Sequence, residues 1–168
     1  MTKEEQKLLA QKAGKKLKAF QAFFRAFRKR PGKEVDNLFH ETHDAVFAKT
    51  DCTTCANCCL LGTPIFGRRD IERLSQHLRM SAGVFQQKYL KQDREGDLVL
   101  QATPCPFLGE DLKCTVYEVR PEDCRNFPHT RRKPMGPYIN AVLVNTAVCP
   151  AAMEVVENLV SSLPHSGK

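Results

Sequence analysis

The sequence predicts an α+β fold: a helix-dominated small domain with a short antiparallel sheet, built around a cysteine-ligated metal centre and preceded by an N-terminal basic amphipathic helix. Three observations carry this reading. Apolar residues recur at three- and four-residue steps through much of the chain, only short runs read as strands, and all eight cysteines fall between Cys52 and Cys149. With 168 residues, 42% of them hydrophobic, the chain can bury one ordinary core, so one domain with appendages is expected.

Residues 1–33 form the basic helical arm. Leu9, Ala13, Leu17, Phe20, Phe24 and Phe27 make the stripe of an amphipathic helix, which Pro31-Gly32 ends. Eleven Lys/Arg against Glu4 and Glu5 give the arm a net +9, and the remaining 15 bases and 17 acids leave the formal +7 of the chain to this segment. The expected use of such a helix is to pack its stripe on its own domain with the lysines in water. A nucleic acid or a membrane surface is the alternative contact.

Residues 34–168 are read as the cysteine-cluster, metal-chelating domain. Val35, Leu38, Phe39, Thr42, Val46 and Phe47 mark a second helix that delivers the chain to Asp51 and the first cysteines. Residues 70–78 read as a third helix, and Ser81 caps a fourth that runs through Val84, Phe85, Tyr89 and Leu90. Residues 97–102 are expected as a strand paired with residues 113–117 in a hairpin around Gly109-Glu110-Asp111. Residues 138–146, with Ile139, Val142 and Val144, suggest a third strand. A closing helix over residues 151–163 follows Cys149-Pro150, with the proline suited to its first turn.

Four cysteines stand in Cys52-Thr-Thr-Cys55-Ala-Asn-Cys58-Cys59, the others at Cys105, Cys114, Cys124 and Cys149. Thiolate sulfur is a soft ligand that selects zinc, copper(I) or iron–sulfur clusters. In a Cys-x-x-Cys turn the backbone N–H groups also point at the sulfurs and spread their charge. No apolar run approaches the roughly 18 residues of a membrane span, and the charged N-terminus lacks a secretory apolar run, so a cytoplasmic setting with reduced thiols is expected. Eight thiols there mean ligation or chemistry; the even count would suit four disulfides in an exported form.

Cys52, Cys55 and Cys58 resemble the first three ligands of a bacterial ferredoxin, but Cys59 follows directly instead of after a three-residue gap. Side chains on adjacent residues diverge, which favours a multinuclear or two-site arrangement over one tetrahedral ion shared by Cys58 and Cys59. Proline after Cys105 and Cys149 stiffens the exit from each ligand, Cys114 lies on an expected strand, and Cys124 sits in a short helical turn started by Pro121. The candidate ligands are all eight: Cys52, Cys55, Cys58, Cys59, Cys105, Cys114, Cys124 and Cys149. They suffice for two four-sulfur sites, or for one cluster with a zinc site or spare thiols beside it.

Read together, Cys52-x2-Cys55-x2-Cys58-Cys59, Cys105-Pro106-Phe107-Leu108 and Cys114-Thr115-Val116-Tyr117-x2-Arg120-Pro121-x2-Cys124-Arg125-x-Phe127 resemble the YkgJ-type cysteine-cluster proteins, also called the CxxCxxCC zinc- or iron-chelating domain family. The resemblance covers about residues 50–150 and implies a metal-chelating domain with eight characteristic cysteines, often labelled iron–sulfur. Some relatives with a similar cluster methylate flagellin lysines. This chain shows no strand-linked Gly-x-Gly fingerprint for a nucleotide-like cofactor, so methylation is not carried over.

Other residues add weaker candidates. His40 and His43 stand three apart on one helix face, a spacing that can bind a metal edge-on, whereas His77, His129 and His165 have no partner in sequence. Arg120 and Arg125 flank Cys124 and either offset thiolate charge or pair with Glu118, Glu122 or Asp123. Phe107, Tyr117 and Phe127 are expected to pack around the centre, and Arg131-Arg132-Lys133 to form a solvated loop.

Three functions are compatible with these features. One is an iron–sulfur protein with a redox or electron-transfer role and a redox protein as partner. Another is a zinc-binding structural or interaction domain that uses the basic helix to meet nucleic acid or an acidic partner. The third is an accessory factor or protein-modifying enzyme in which Cys59 stays unligated and reactive. The cofactor expected is an iron–sulfur cluster or Zn2+, with iron–sulfur preferred.

Overall fold

The computed structural model describes residues 1–163, and the chain divides into two units: Met1–Asp51 with Pro128–Lys168, and Cys52–Phe127. The first unit is helical. Helix α1 (Lys3–Phe27) starts at a reciprocal cap in which Glu5 N–H donates to Thr2 Oγ1 and Thr2 N–H donates to Glu5 Oε2. Its stripe buries Ala13, Phe20, Phe24 and Phe27. Phe24 lies 5.4 Å from Phe27 and 5.7 Å from Phe39 of α2 (Gly32–Phe47), ring centre to ring centre. Pro31 precedes α2, and α1 has already ended at Phe27, so the proline begins the second helix as much as it closes the first.

The same core receives Ile139, Val142 and Leu143 of a later helix and Met153, Val155, Val156 and Leu159 of the closing one. Glu157 of the closing helix binds Lys12 at 2.9 Å and Lys16 at 2.5 Å. Buried Asp36 accepts the Met135 N–H at 2.7 Å and so ties α2 to the segment after His129. The stripe read from the sequence therefore does pack within this unit.

In the second unit a 3-10 turn (Cys52–Thr54) and helix α3 (Asn57–Leu61) lead to α4 (Arg68–His77) and α5 (Ala82–Tyr89). Strand β1 (Leu90–Gln92) pairs antiparallel with β2 (Leu98–Leu100). A 3-10 turn (Tyr117–Val119) and α6 (Glu122–Asn126) complete it. Phe66, Ile71, Leu74, Phe85, Leu90, Leu100, Phe107 and Val116 make its core, against which Cys105 and Cys114 pack. Returning to the first unit, the chain forms α7 (Ile139–Asn145) and α8 (Pro150–Ser162). No helix among the described residues is long and apolar enough to cross a membrane.

The fold class is the expected one, helix-dominated with a single two-stranded antiparallel sheet among the described residues. Its details correct three expectations. The partner of β2 is Leu90–Gln92 and not residues 113–117. Asp93 accepts the N–H groups of Glu95 and Asp97 while Gly96 takes φ +90°, which closes a short local turn, and short closure costs less entropy than a distant pairing. The Gly109-Glu110-Asp111 turn is real, but it folds residues 113–115 back onto 107–109: Gly109 N–H donates to the Lys113 carbonyl and Thr115 N–H to the Phe107 carbonyl, each at 2.8 Å. Residues 138–146 hold α7 instead of a strand. Ile139, Val142 and Leu143 are buried at steps of three and one, while Val144 is 69% exposed, a helical pattern that tertiary packing imposes over β-branched propensity.

Candidate metal centre

The thiol-bearing segments of the second unit are short and irregular. Cys52 and Cys55 bracket one turn, with Cys55 N–H donating to the Cys52 carbonyl at 3.3 Å. Ala56 then adopts a left-handed conformation (φ 52°) that costs a non-glycine residue roughly 1–2 kcal/mol and reverses the chain into α3. On α3, Cys58 Sγ and Cys59 Sγ stand 4.0 Å apart. Gly62 closes this helix by donating to the Cys58 carbonyl at 2.8 Å. A methyl group at Gly62 would meet that oxygen at 2.5 Å, so only glycine fits without a shift.

Cys105 is joined to this turn by its own backbone, whose N–H donates to the Cys59 carbonyl at 2.8 Å. Cys114 bridges antiparallel to Leu108, three residues after Cys105. Cys124 rides on α6. A network anchored in α4 holds the approach to α6. Asp70, 5% exposed, accepts from Arg73 Nη2 at 2.6 Å and from the N–H groups of Gly67 and Glu122, each at 3.1 Å. Arg73 donates onward to the carbonyls of Val119 and Arg120. Asp123 accepts the Ile65 N–H at 3.1 Å. Sequence reading missed this network. Its one local sign is an acid placed three residues after Gly67, where it can cap a helix start.

Electrostatics ties four thiols together. Charge on Cys59 is felt by Cys105, Cys114 and Cys124, and Cys124 also feels Cys105 and Cys114. Burial pushes Cys105 up to about 11 and Cys124 up to about 12, and raises Cys114 as well; Arg120 partly offsets the last. Cys59 moves the other way, down to about 7, because the Cys58 thiol donates to its sulfur. The set thus pairs one thiol that ionises more readily with three whose burial favours the protonated form.

Among the described residues, no group of three or more His, Cys, Asp or Glu side chains stands gathered as a finished coordination set. Cys59, Cys105, Cys114 and Cys124 are soft sulfur donors of the kind that all-sulfur centres use. Of the remaining cysteines, Cys52 and Cys58 are exposed and Cys55 is half-buried. Cys149 belongs to the first unit, where its sulfur accepts the Ala152 N–H at 3.4 Å as the cap of α8.

The other sequence candidates have structural occupations. His40 Nε2 donates to the Arg132 carbonyl at 3.0 Å, and His43 Nδ1 lies 2.7 Å from Thr130 Oγ1 with its ring stacked on Phe47. Burial lowers the His43 pKa, and Arg131 adds to the effect. His129 is buried at φ 70°, and His165 lies outside the described residues. Arg120 donates to the Tyr117 carbonyl and lies 3.7 Å over its ring, while Arg125 donates to the carbonyls of Arg120 and Glu118. Phe107 is buried, stacked 6.3 Å from Phe85, whereas Tyr117 is 45% exposed.

Residues 51–150 match a family profile described as CxxCxxCC, putative zinc- or iron-chelating domain. No solved structure matches the chain.

Proposed function

Because the chain belongs to the CxxCxxCC family of zinc- or iron-chelating domains, we propose that it is an iron–sulfur protein with a redox or electron-transfer role, and that Cys59, Cys105, Cys114 and Cys124 form the heart of its centre. The observation that carries the reading is the backbone bond that joins Cys105 to Cys59, with Cys114 folded back beside Leu108 and Cys124 on the turn held by Asp70. Seven thiols lie in the second unit, more than one tetrahedral ion takes, and the 4.0 Å approach of Cys58 to Cys59 extends the set toward Cys55 and Cys52. A bound cluster supplies one-electron chemistry. The protein's own residues hold it: Cys105 and Cys114 pack on the apolar core, Arg120 offsets thiolate charge, and Asp70 with Arg73 fixes the turn that presents Cys124.

A second reading is a single structural zinc, since four thiols are the number that a tetrahedral four-sulfur site takes. Metal and acid-labile sulfide analysis of anaerobically purified protein separates the two. Brown protein with iron and sulfide in matching amounts supports the cluster. Colourless protein with one zinc per chain overturns it in favour of zinc, and full occupancy after replacement of both Cys59 and Cys124 by serine overturns the quartet.

A further inference from the structure

The charge of the molecule is confined to one unit. Met1–Asp51 with Pro128–Lys168 carries sixteen Lys/Arg against nine Asp/Glu, a net +7, whereas Cys52–Phe127 carries ten of each. Along α1, Lys12 and Lys16 are held by Glu157. Lys3, Lys7, Lys15, Lys18, Arg25 and Lys29 are exposed and have no acidic partner among the described residues. At 3.6 residues per turn, Lys7, Lys18 and Arg25 fall within about 20° of one another around the helix and run for roughly 27 Å along it, and Lys29 stands in the turn that follows. Near the end of this ridge a cleft of about 380 Å³ is lined by Gln21, Phe24, Arg25, Arg28, Asn140 and Leu143. Arg28 donates to Asn140 Oδ1 at 2.6 Å, so guanidinium and amide groups converge there.

We propose that this face of α1, with its cleft, binds the phosphate backbone of duplex nucleic acid. A linear row of unpaired cations complements a linear row of phosphates, and Arg, Gln and Asn side chains are the groups that contact phosphate and sugar. The apolar stripe of α1 is buried in its own core, which leaves no wedge to enter a lipid surface; Leu8 is the one large apolar side chain exposed on the helix. Phe20, Phe24 and Phe27 are buried too, so the face offers no stacking platform for unpaired bases. Recognition is therefore of the backbone and independent of sequence.

The test is fluorescence anisotropy of the full chain with a labelled mixed-sequence DNA duplex, repeated across salt concentrations. With about five phosphates contacted, log affinity should fall with log salt at a slope of about −4.5, a loss of roughly 500-fold between about 50 and 200 mM. The variant carrying Lys7→Gln, Lys18→Gln, Arg25→Gln and Lys29→Gln should keep its helicity and reduce the slope to about −1, whereas Lys12→Gln with Lys16→Gln should change it by less than half as much. Three results would overturn the proposal: no duplex binding at about 50 mM salt, an unchanged slope in the fourfold variant, or tighter binding to phosphatidylserine vesicles than to duplex.

Discussion

Replacing Asp70 by alanine should loosen the turn that carries Cys124. Its carboxylate is the common acceptor of three donors from three places in the second unit: Arg73 on its own helix, the Gly67 N–H at the helix start, and the Glu122 N–H two residues before Cys124. Alanine removes the acceptor of two part-buried backbone donors, worth about 0.5–1.5 kcal/mol each, and leaves Arg73 without its counter-charge. Water can reach Arg73, which is 34% exposed, so the cost should settle near 3–5 kcal/mol, the range for breaking one side of a buried pair. Asparagine retains a carbonyl acceptor but no charge and should lose about 1–3 kcal/mol. Urea denaturation followed by circular dichroism measures the loss, and amide exchange at Glu122 locates it. A double-mutant cycle with Arg73→Ala should show a coupling of about 1–3 kcal/mol. A loss below about 1 kcal/mol with unchanged Glu122 protection would refute the reasoning, because the carboxylate would then not be the organising acceptor.

Three further outcomes are expected. The ligating form of cysteine is the thiolate, and burial keeps Cys105, Cys114 and Cys124 protonated at neutral pH, so metal binding must expel their protons. Apparent affinity should then rise by about three decades per pH unit near pH 8, and more steeply below pH 7 where Cys59 is protonated as well. Competition with a chromophoric chelator reads this, and a slope below about one decade per unit contradicts it. Gly62→Ala drives a methyl group against the Cys58 carbonyl and should cost about 1–3 kcal/mol while weakening metal binding; unchanged metal affinity would show that α3 can shift without disturbing Cys59. Phe24→Ala opens the aromatic cluster with Phe27 and Phe39 and should destabilise the first unit by about 3–5 kcal/mol in thermal or urea unfolding, with little effect on the second.

How far the sequence could be read depended on how local each signal was. The α1 stripe and the Pro121 turn before Cys124 were legible because both are written within a few neighbouring residues. Helix α7 was misread because Ile139, Val142 and Val144 suit a strand by themselves. Only the core shows that Val142 is buried while Val144 faces water, which one strand face cannot do. The β1–β2 turn was missed because Leu90 continues the apolar pattern of α5, and its strand role appears only when Leu100 pairs with it.

The same division governs the thiols. Soft all-sulfur chemistry, the two-residue spacing from Cys52 to Cys58 and the metal-directed reading follow from the identity and order of residues, which are covalent facts. Which thiols stand together does not. Cys105 is joined to Cys59 by a backbone bond between residues far apart in the chain, the turn before Cys124 is strapped by Asp70 and Arg73, and Cys149 is set in the other unit as a helix cap. Covalent order sets which donors exist; the packing of distant segments sets which thiols are buried and hold their protons, while Cys59 ionises more readily because its neighbour Cys58 donates to it.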